Sequence, residues 1–389
     1  MSSVAVSLRN PSIDLTRGEF QPRLAALLDR VPPNTLQGHA FFSVPANEPP
    51  WFDTGLDLRA GEHITALAVG SAILSSELDL QFYPDMQLWY RVGEAGSVFR
   101  GTRQSHSFMA SEPGRLYFGS YFPGEWSTRS GGLSVGTDAY RQMQGGLDVL
   151  VLRWAVPPLE GLKRILSVGD VGSLLASEID RLQNGVKPPS GWEYLWFLGQ
   201  SEIYGAGPVS PAQRPSIACH THRDAAILHK EVSVPLSADT RLCWSWKMDT
   251  LPCQLPENVL ENHDYLSIAV EFDNGQDLAF FWSSQLPVDT GFRCPIPTWT
   301  ARETHVVARS GSNLLGRWLD EERPLHTYYQ RFVGTIGKPD ESHDPRVVAP
   351  PTRIERIWLI ANSMFRRQEG RCEYGAIELQ TAGKTIRVN

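Results

Sequence analysis

The chain has 389 residues, a formal net charge of −7 and a sequence pI near 5.8. It carries no basic run and no net positive half, which excludes the electrostatic footprint of a nucleic-acid binder. No apolar run approaches the roughly 18 residues that a membrane-spanning helix needs, and the length favours two domains.

The first 20 residues, MSSVAVSLRNPSIDLTRGEF, hold one short, weakly apolar stretch with no preceding Lys or Arg, so no signal peptide is expected. Residues 1–40 read as a helical extension, in which Leu24, Leu27, Leu28 and Val31 recur at helical spacing within Pro22 to Val31. Residues 41–158 read as short strands between Gly, Pro and Ser turns. Ile64, Ala66 and Ala68 alternate there with Thr65, Leu67 and Val69, a pattern that implies an antiparallel sandwich.

VPPLEG (Val156 to Gly161) reads as a connector into a helical linker over 159–190. Its helix has Asp170 as N-cap, Leu174, Ile179 and Leu182 as the apolar stripe, and Asn184-Gly185 as the C-terminal stop. Strands resume over 191–389, about eight of them. The predicted run starts with IACHTH as an edge and is interrupted by a short helix at PLHTYYQRFVG. The acidic, Pro-flanked Lys338 to Pro351 reads as a surface loop. The expected fold is all-β: two jelly-roll-like β-sandwiches joined by a helical linker.

Two stretches resemble known families. WFDTGLDLRAGEHITALAVG and the later GRLYFGSYFPGEWSTRSGGLSV resemble the calcium-dependent galactose-binding lectins of the Pseudomonas type, over about 110 residues. The resemblance implies a small β-sandwich with a sugar site on a loop rich in Asp and Asn. The matching loop here reads GEWSTRSGG. It lacks those oxygen ligands, which hard cations need in number. Calcium is therefore not carried over, and Glu125 and Trp126 remain as candidate loop contacts. In the C-terminal half, LCWSWKMDTLP, HDYLSIAVEF, DLAFFWSSQLP, LGRWLDEERPLHTYYQRFVG and IERIWLIANS resemble a bacterial family of unknown function with a concanavalin-like sandwich. That implies a fold and no activity. The acidic turn expected after the IWLIA strand is replaced here by NSMFRRQEG.

Several constellations could carry chemistry. Period two places Cys243, Ser245, Lys247 and Asp249 on one strand face, opposite Trp244, Trp246 and Met248. In HDYLSIAVEF, Tyr265 and Glu271 flank the small residues Ser267 and Ala269 on one face, as a groove floor would. His263 and Asp264 stand at its rim and point opposite ways, so they form no dyad with each other. The alternative is that Asp264 caps a turn and His263 is exposed. Glu303 and His305 share a face and could pair for acid/base work. His220 and His222 also share a side, but no third metal ligand is identifiable. Trp192, Tyr204, Trp282 and Trp299 are candidate aromatic walls for a ligand, with core packing as the alternative. Arg317 and Trp318, in GRWLDEERP, read as an anchor for the helix that follows.

No P-loop, GxGxxG, GxSxG or HExxH motif is present, which disfavours nucleotide, flavin and serine-hydrolase chemistry. The expected function is a hydrolase, lyase or cyclase that needs no cofactor or metal. It would act on a glycosylated or polycyclic small molecule in a cleft of the C-terminal sandwich or between domains. The catalytic candidates are Glu271, His263, Asp264, Lys247, Asp249 and His305. Tyr265, Trp282, Trp299, Tyr204 and Trp126 are the substrate-binding candidates. The alternative is a non-catalytic carbohydrate-binding protein. Five cysteines without a CxxC pair, Cys219, Cys243, Cys253, Cys294 and Cys372, point to reduced thiols and a cytoplasmic location.

Overall fold

A computed structural model describes residues 15–48, 50–122, 124–334 and 349–389. The chain divides into two units: Met1–Gly185 with Trp196–Ser201, and Val186–Leu195 with Glu202–Asn389. Among the described residues no helix is long and apolar enough to cross a membrane.

The N-terminal unit has three layers. Its strands are β1 (Leu36–Pro45), β2 (Trp51–Leu58), β3 (His63–Ser75), β4 (Leu80–Phe82), β5 (Leu88–Val92), β6 (Phe99–Arg100), β7 (Ser105–Met109), β8 (Gly114–Ser120) and β9 (Gln144–Trp154). One sheet runs β1-β9-β3-β4 with β7 also paired to β3, and the second runs β2-β8-β5-β6. The alternation read in β3 has a consequence on both sides, because both faces are apolar. Ile64, Ala66 and Ala68 join Tyr90, Leu116 and Phe118 in the core between the sheets. Leu67 and Val69 face the other way, into a second core.

Helices α1 (Arg17–Leu28), α2 (Pro158–Leu166) and α3 (Leu174–Asn184) supply that second core with Phe20, Leu24, Leu162, Ile165, Leu174 and Ile179. The connector read at Val156 to Gly161 runs into a helix already at Pro158, which sits in the first turn, where a missing N–H costs nothing. α2 lies close to its sheet at Gly161, where an added Cβ would stand 2.2 Å from the Trp154 ring. The Trp154 indole in turn donates to Thr65 Oγ1 (2.8 Å).

The N-cap position of α3 is Ser173 and not Asp170, but the Asp170 carboxylate reaches over to accept the N–H groups of Leu175 and Ala176, besides that of Val171. Leu182, read as part of the apolar stripe, is instead exposed, while Leu174 and Ile179 are buried. Glu178 is fully buried on α3. It accepts from Ser105 Oγ (2.9 Å) and the Ser107 N–H (2.6 Å), and pairs with Arg181 (2.6 Å).

The C-terminal unit is a sandwich of two sheets. Its strands are β10 (Glu193–Tyr194), β11 (Tyr204–Val209), β12 (Pro215–His222), β13 (Ala225–Pro235), β14 (Arg241–Thr250), β15 (Tyr265–Phe272), β16 (Asp277–Ser283), β17 (Gly291–Arg293), β18 (Glu303–Ser310), β19 (Trp318–Pro324), β20 (Arg353–Asn362), β21 (Glu369–Thr381) and β22 (Lys384–Arg387). The seven-stranded sheet runs β10-β13-β20-β15-β16-β18-β17. The six-stranded sheet runs β11-β12-β21-β14-β19, with β22 on β21. The pairings are antiparallel except β16 with β18.

The inner faces follow the period-two reading. Trp244, Trp246 and Met248 from one sheet meet Leu266, Ile268, Val270 and Phe280 from the other. The IACHTH strand, expected at an edge, lies inside its sheet, between β11 and β21. The true edge, β11, reads YGAGPV and has no alternation to betray it. WLDEERP, read as a helix anchor, is the other edge strand, β19. Its buried Glu321 pairs with Arg309 and Arg323. The helix expected at PLHTYYQRFVG is present as one short turn, Leu325–Tyr328, continued by a wider turn over Tyr329–Val333. Most of the Lys338 to Pro351 stretch lies outside the described residues.

Candidate functional sites in the C-terminal unit

The outer face of the seven-stranded sheet is assembled by register. Trp358, Ala269, Ala279, His305 and Phe292 stand side by side across β20, β15, β16, β18 and β17. One residue pair along, the row reads Arg356, Glu271, Asp277 and Glu303. Ala269 and Ala279 leave room above the sheet, as a groove floor would, but the chain itself fills that room. The segment between β17 and β18 crosses back over the face. Its Trp299 meets Trp358 edge-on at 6.1 Å, and Arg302 stacks over both rings (5.0 and 5.3 Å). Both alanines, and the carboxylate-bearing Asp277, are fully buried.

Glu271 is half-buried at the open end of this row. It is held by Arg356 (2.9 Å) and Arg302 (3.7 Å). Arg302 also donates from Nε to Asp277 Oδ2 (2.8 Å), while Asp277 Oδ1 has no partner among the described residues. Burial pushes the Asp277 carboxyl well above its ordinary range, with Glu303 beside it adding to the effect.

At the other end of the face a cluster gathers. His263 and His305 are sealed at 0% exposure, Cys294 at 1% and Glu303 at 2%. The His263 and His305 rings meet edge-on at 4.7 Å. His263 Nδ1 donates to the Glu257 carbonyl (2.7 Å), which leaves Nε2 to accept from the Cys294 thiol (3.4 Å). Tyr265 donates to Glu303 Oε1 (3.1 Å), which stands 2.8 Å from His305 Nε2. That last contact is off the N–H axis, and among the described residues neither His305 nitrogen has a hydrogen-bond partner. Burial, reinforced by His305, pushes His263 well below its ordinary pKa, and burial pushes the Cys294 thiol far up. The exposed placement considered for His263 is therefore overturned: the β15 entry turns the ring inward, under β17.

Asp264 does cap a turn. It accepts the N–H groups of Phe365 (3.0 Å) and Arg366 (2.6 Å) in the NSMFRRQEG segment. Burial nevertheless raises its pKa to about 6.

The six-stranded sheet presents a different outer face. Register sets Gly205, Ala218, Glu373, Lys247 and Trp318 in one row. Ser245 and Gly375 lie beside it. Ala218, Glu373, Lys247 and Trp318 are each half-buried. Lys247 Nζ lies 2.7 Å from Glu373 and 3.6 Å from Asp249. The bond to Glu373, then the Asp249 charge, raises the Lys247 pKa against the cost of its burial. A Cβ on Gly375 would stand 2.3 Å from Ser245 Oγ and 2.9 Å from the Trp318 ring, so this floor is shaped by the absence of a side chain. At one end of this sheet His220 and His222 share a side of β12, as read, and His220 Nε2 is 2.6 Å from Glu369 Oε1.

Of the aromatic candidates, Tyr204 and Trp282 belong to the sandwich core. Trp282 also donates to the Gly311 carbonyl (2.8 Å). Trp192 is in the same core, and Tyr265 is buried in the His cluster. In the N-terminal unit Trp126 is buried under Trp51, stacked at 5.0 Å, and Arg91 covers Trp51 in turn (4.2 Å). No ring of this set lies open on a surface. The half-buried Trp318 was read as a helix anchor and its neighbour Glu373 was missed, because the short charged strand and the distant β21 meet β14 only in three dimensions. Cys294 escaped because FRCPIP shows no ligand spacing to His263 or His305.

A comparison with curated proteins finds none that matches this chain. Solved structures that it is similar to include the N-terminal domain of EclA, a PllA-like lectin, at 22% identity and a TM-score of 0.23, over 31% of this chain and 98% of that one. The xyloglucanase domain of NopAA from Sinorhizobium fredii, solved with cellobiose, is similar at 8% identity and a TM-score of 0.29, over 50% and 96%. A family 11 carbohydrate-binding module from Clostridium thermocellum cellulase Lic26A-Cel5E is similar at 12% identity and a TM-score of 0.22, over 51% and 91%. Residues 190–378, from just before β10 into β21, match the family described as protein of unknown function (DUF3047), and the family likeness of this chain lies in that stretch.

Proposed function

We propose that the protein binds carbohydrate on the outer face of the six-stranded sheet. One observation carries this reading. The half-buried row Ala218, Glu373, Lys247 and Trp318 sets an indole beside an ammonium and a carboxylate, with the Trp318 ring packed close against Gly375. A pyranose offers an apolar face and a rim of hydroxyls. Trp318 suits the first. The Lys247 ammonium and the Glu373 and Asp249 carboxylates suit the second, as donor and acceptors already held in place. The test is calorimetry of the full chain against glycans selected on an array, with Trp318→Ala and Lys247→Ala. Affinity should fall at least tenfold in each while the melting temperature holds. Unchanged binding in both, or no glycan bound by the wild type, overturns the reading.

A catalytic reading draws on the same groups, because the Asp249 and Glu373 carboxylates converge on one ammonium. A hydrolase, lyase or cyclase acting on a glycosylated or polycyclic molecule would take its acid and base from that trio. Glu373→Gln would then abolish turnover and leave binding in place. Turnover that survives Glu373→Gln, or turnover lost together with binding, counts against it.

A further inference from the structure

The cluster on the other sheet has a donor set that the sugar reading does not use. We propose that His263, Cys294 and His305 bind a zinc-class divalent cation, with Glu303 as the carboxylate partner of His305. One donor atom from each of the three residues falls within 4.8 Å of the others. The closest pair, Cys294 Sγ and His263 Nε2, is 3.4 Å apart. Two ligands on a tetrahedral zinc, with bonds of about 2.0 Å to nitrogen and about 2.3 Å to sulfur, stand about 3.5 Å apart. The pair needs almost no movement to take a metal between them.

His305 is the second, independent observation. It is sealed from solvent, yet among the described residues neither ring nitrogen has a hydrogen-bond partner. A buried imidazole whose nearest polar neighbour, Glu303 Oε1 at 2.8 Å, lies off its N–H axis is costly, unless a nitrogen is kept for a ligand. The surroundings are those of a ligated pair of histidines. The Glu257 carbonyl fixes the His263 tautomer through Nδ1, leaving Nε2 free to ligate, and the Glu303 carboxylate stands at His305. Charge agrees as well. A dication, one thiolate, one carboxylate and two neutral imidazoles sum to zero, which is what a dry site tolerates. Nitrogen and sulfur donors disfavour calcium and magnesium.

Without a cation the pocket holds a thiol and neutral imidazole facing each other, because burial opposes both charged forms. That combination is not a thiolate–imidazolium nucleophile pair. Three protein ligands leave a fourth position, as in a catalytic site, but burial closes that position to any substrate, so the ion would act on the structure. Such an ion would clasp the entry to β15 onto Cys294 and β18, which the bond from the Cys294 N–H to the Glu303 carbonyl (3.0 Å) already joins.

The test uses the full chain, purified without a histidine tag, then unfolded and refolded with excess zinc or cobalt(II) and desalted. Roughly one metal per chain should remain. The cobalt form should show a thiolate charge-transfer band that Cys294→Ser lacks, and a strong chelator should lower the melting temperature until zinc restores it. A wild-type chain that retains well under one metal after refolding, with a melting temperature indifferent to zinc and chelator, overturns the proposal even if the variants fail to fold. So does a band that persists in Cys294→Ser.

Discussion

Acidification should weaken the N-terminal unit through one side chain, His106. The ring sits half-buried on β7, among Tyr90, Phe99 and Phe108, with centroid distances of 5.9, 6.1 and 6.0 Å. Its Nδ1 has no hydrogen-bond partner. Burial lowers its pKa from 6.5 to about 4; Arg181 and Arg100 push the same way, and Glu178 pushes back. A histidine whose folded pKa is depressed adds stability above its unfolded pKa and loses it as pH falls. The loss therefore begins near pH 6.5 and continues to about pH 4. A depression of about 2.5 units corresponds to at most about 3 kcal/mol, and the partial exposure of the ring trims this to about 2 kcal/mol by pH 4.5. His106→Phe keeps an aromatic ring and removes the titration. Urea denaturation of both proteins from pH 7.5 to 4.5, followed by the indole resonances of Trp89 and Trp154, isolates this unit. The wild type should lose about 2 kcal/mol more than the variant over that range. Parallel pH dependences in the two proteins, or a His106 ring that titrates near 6.5 by NMR, would refute the reasoning.

Three further outcomes are expected. Glu178→Ala removes the acceptor of Ser105 Oγ and the Ser107 N–H, and the partner of Arg181; it should cost about 3–5 kcal/mol in thermal or urea unfolding, and a loss under about 1 kcal/mol would show that water replaces it. Gly375→Val drives a side chain into Ser245 Oγ and the Trp318 ring, so it should shift Trp fluorescence and weaken saccharide binding at least tenfold. Gly136→Ala, with open space at its Cβ position, is its control and should do neither. Trp246→Ala opens a large cavity between the two sheets and should cost about 3–5 kcal/mol in the unfolding of the C-terminal unit.

What the sequence made legible follows from period. Trp244, Trp246 and Met248 fall inward, and Lys247 outward, because a strand buried on one face enforces its alternation. β3 also alternates, yet both of its faces are buried, so the pattern alone could not tell a two-layer sandwich from a sheet with a third layer of helices. Short strands such as GFR at β17, and charged ones such as WLDEERP at β19, carry no period to read. The polar constellations were less legible still. Glu271 was picked for the small residues beside it on β15. The contacts that define it, Arg356 and Arg302, come from strands and a crossing segment far along the chain. Glu303 and His305 were correctly placed on one face, but their neighbours Cys294 and His263 arrive from loops whose paths no local pattern encodes.

The parallel pairing of β16 with β18 has a consequence for how this unit folds. A tight turn cannot join two strands that run the same way, so the chain must travel back along the sheet before it starts β18. It does so by way of β17 and then over the face, laying Trp299 and Arg302 across strands that were already side by side. The cover packs on strands whose own pairing does not depend on it. The 284–302 passage should thus be among the last parts to settle. It should also be the first to lift in brief local openings, with a single protease cut there leaving the strands beneath it paired.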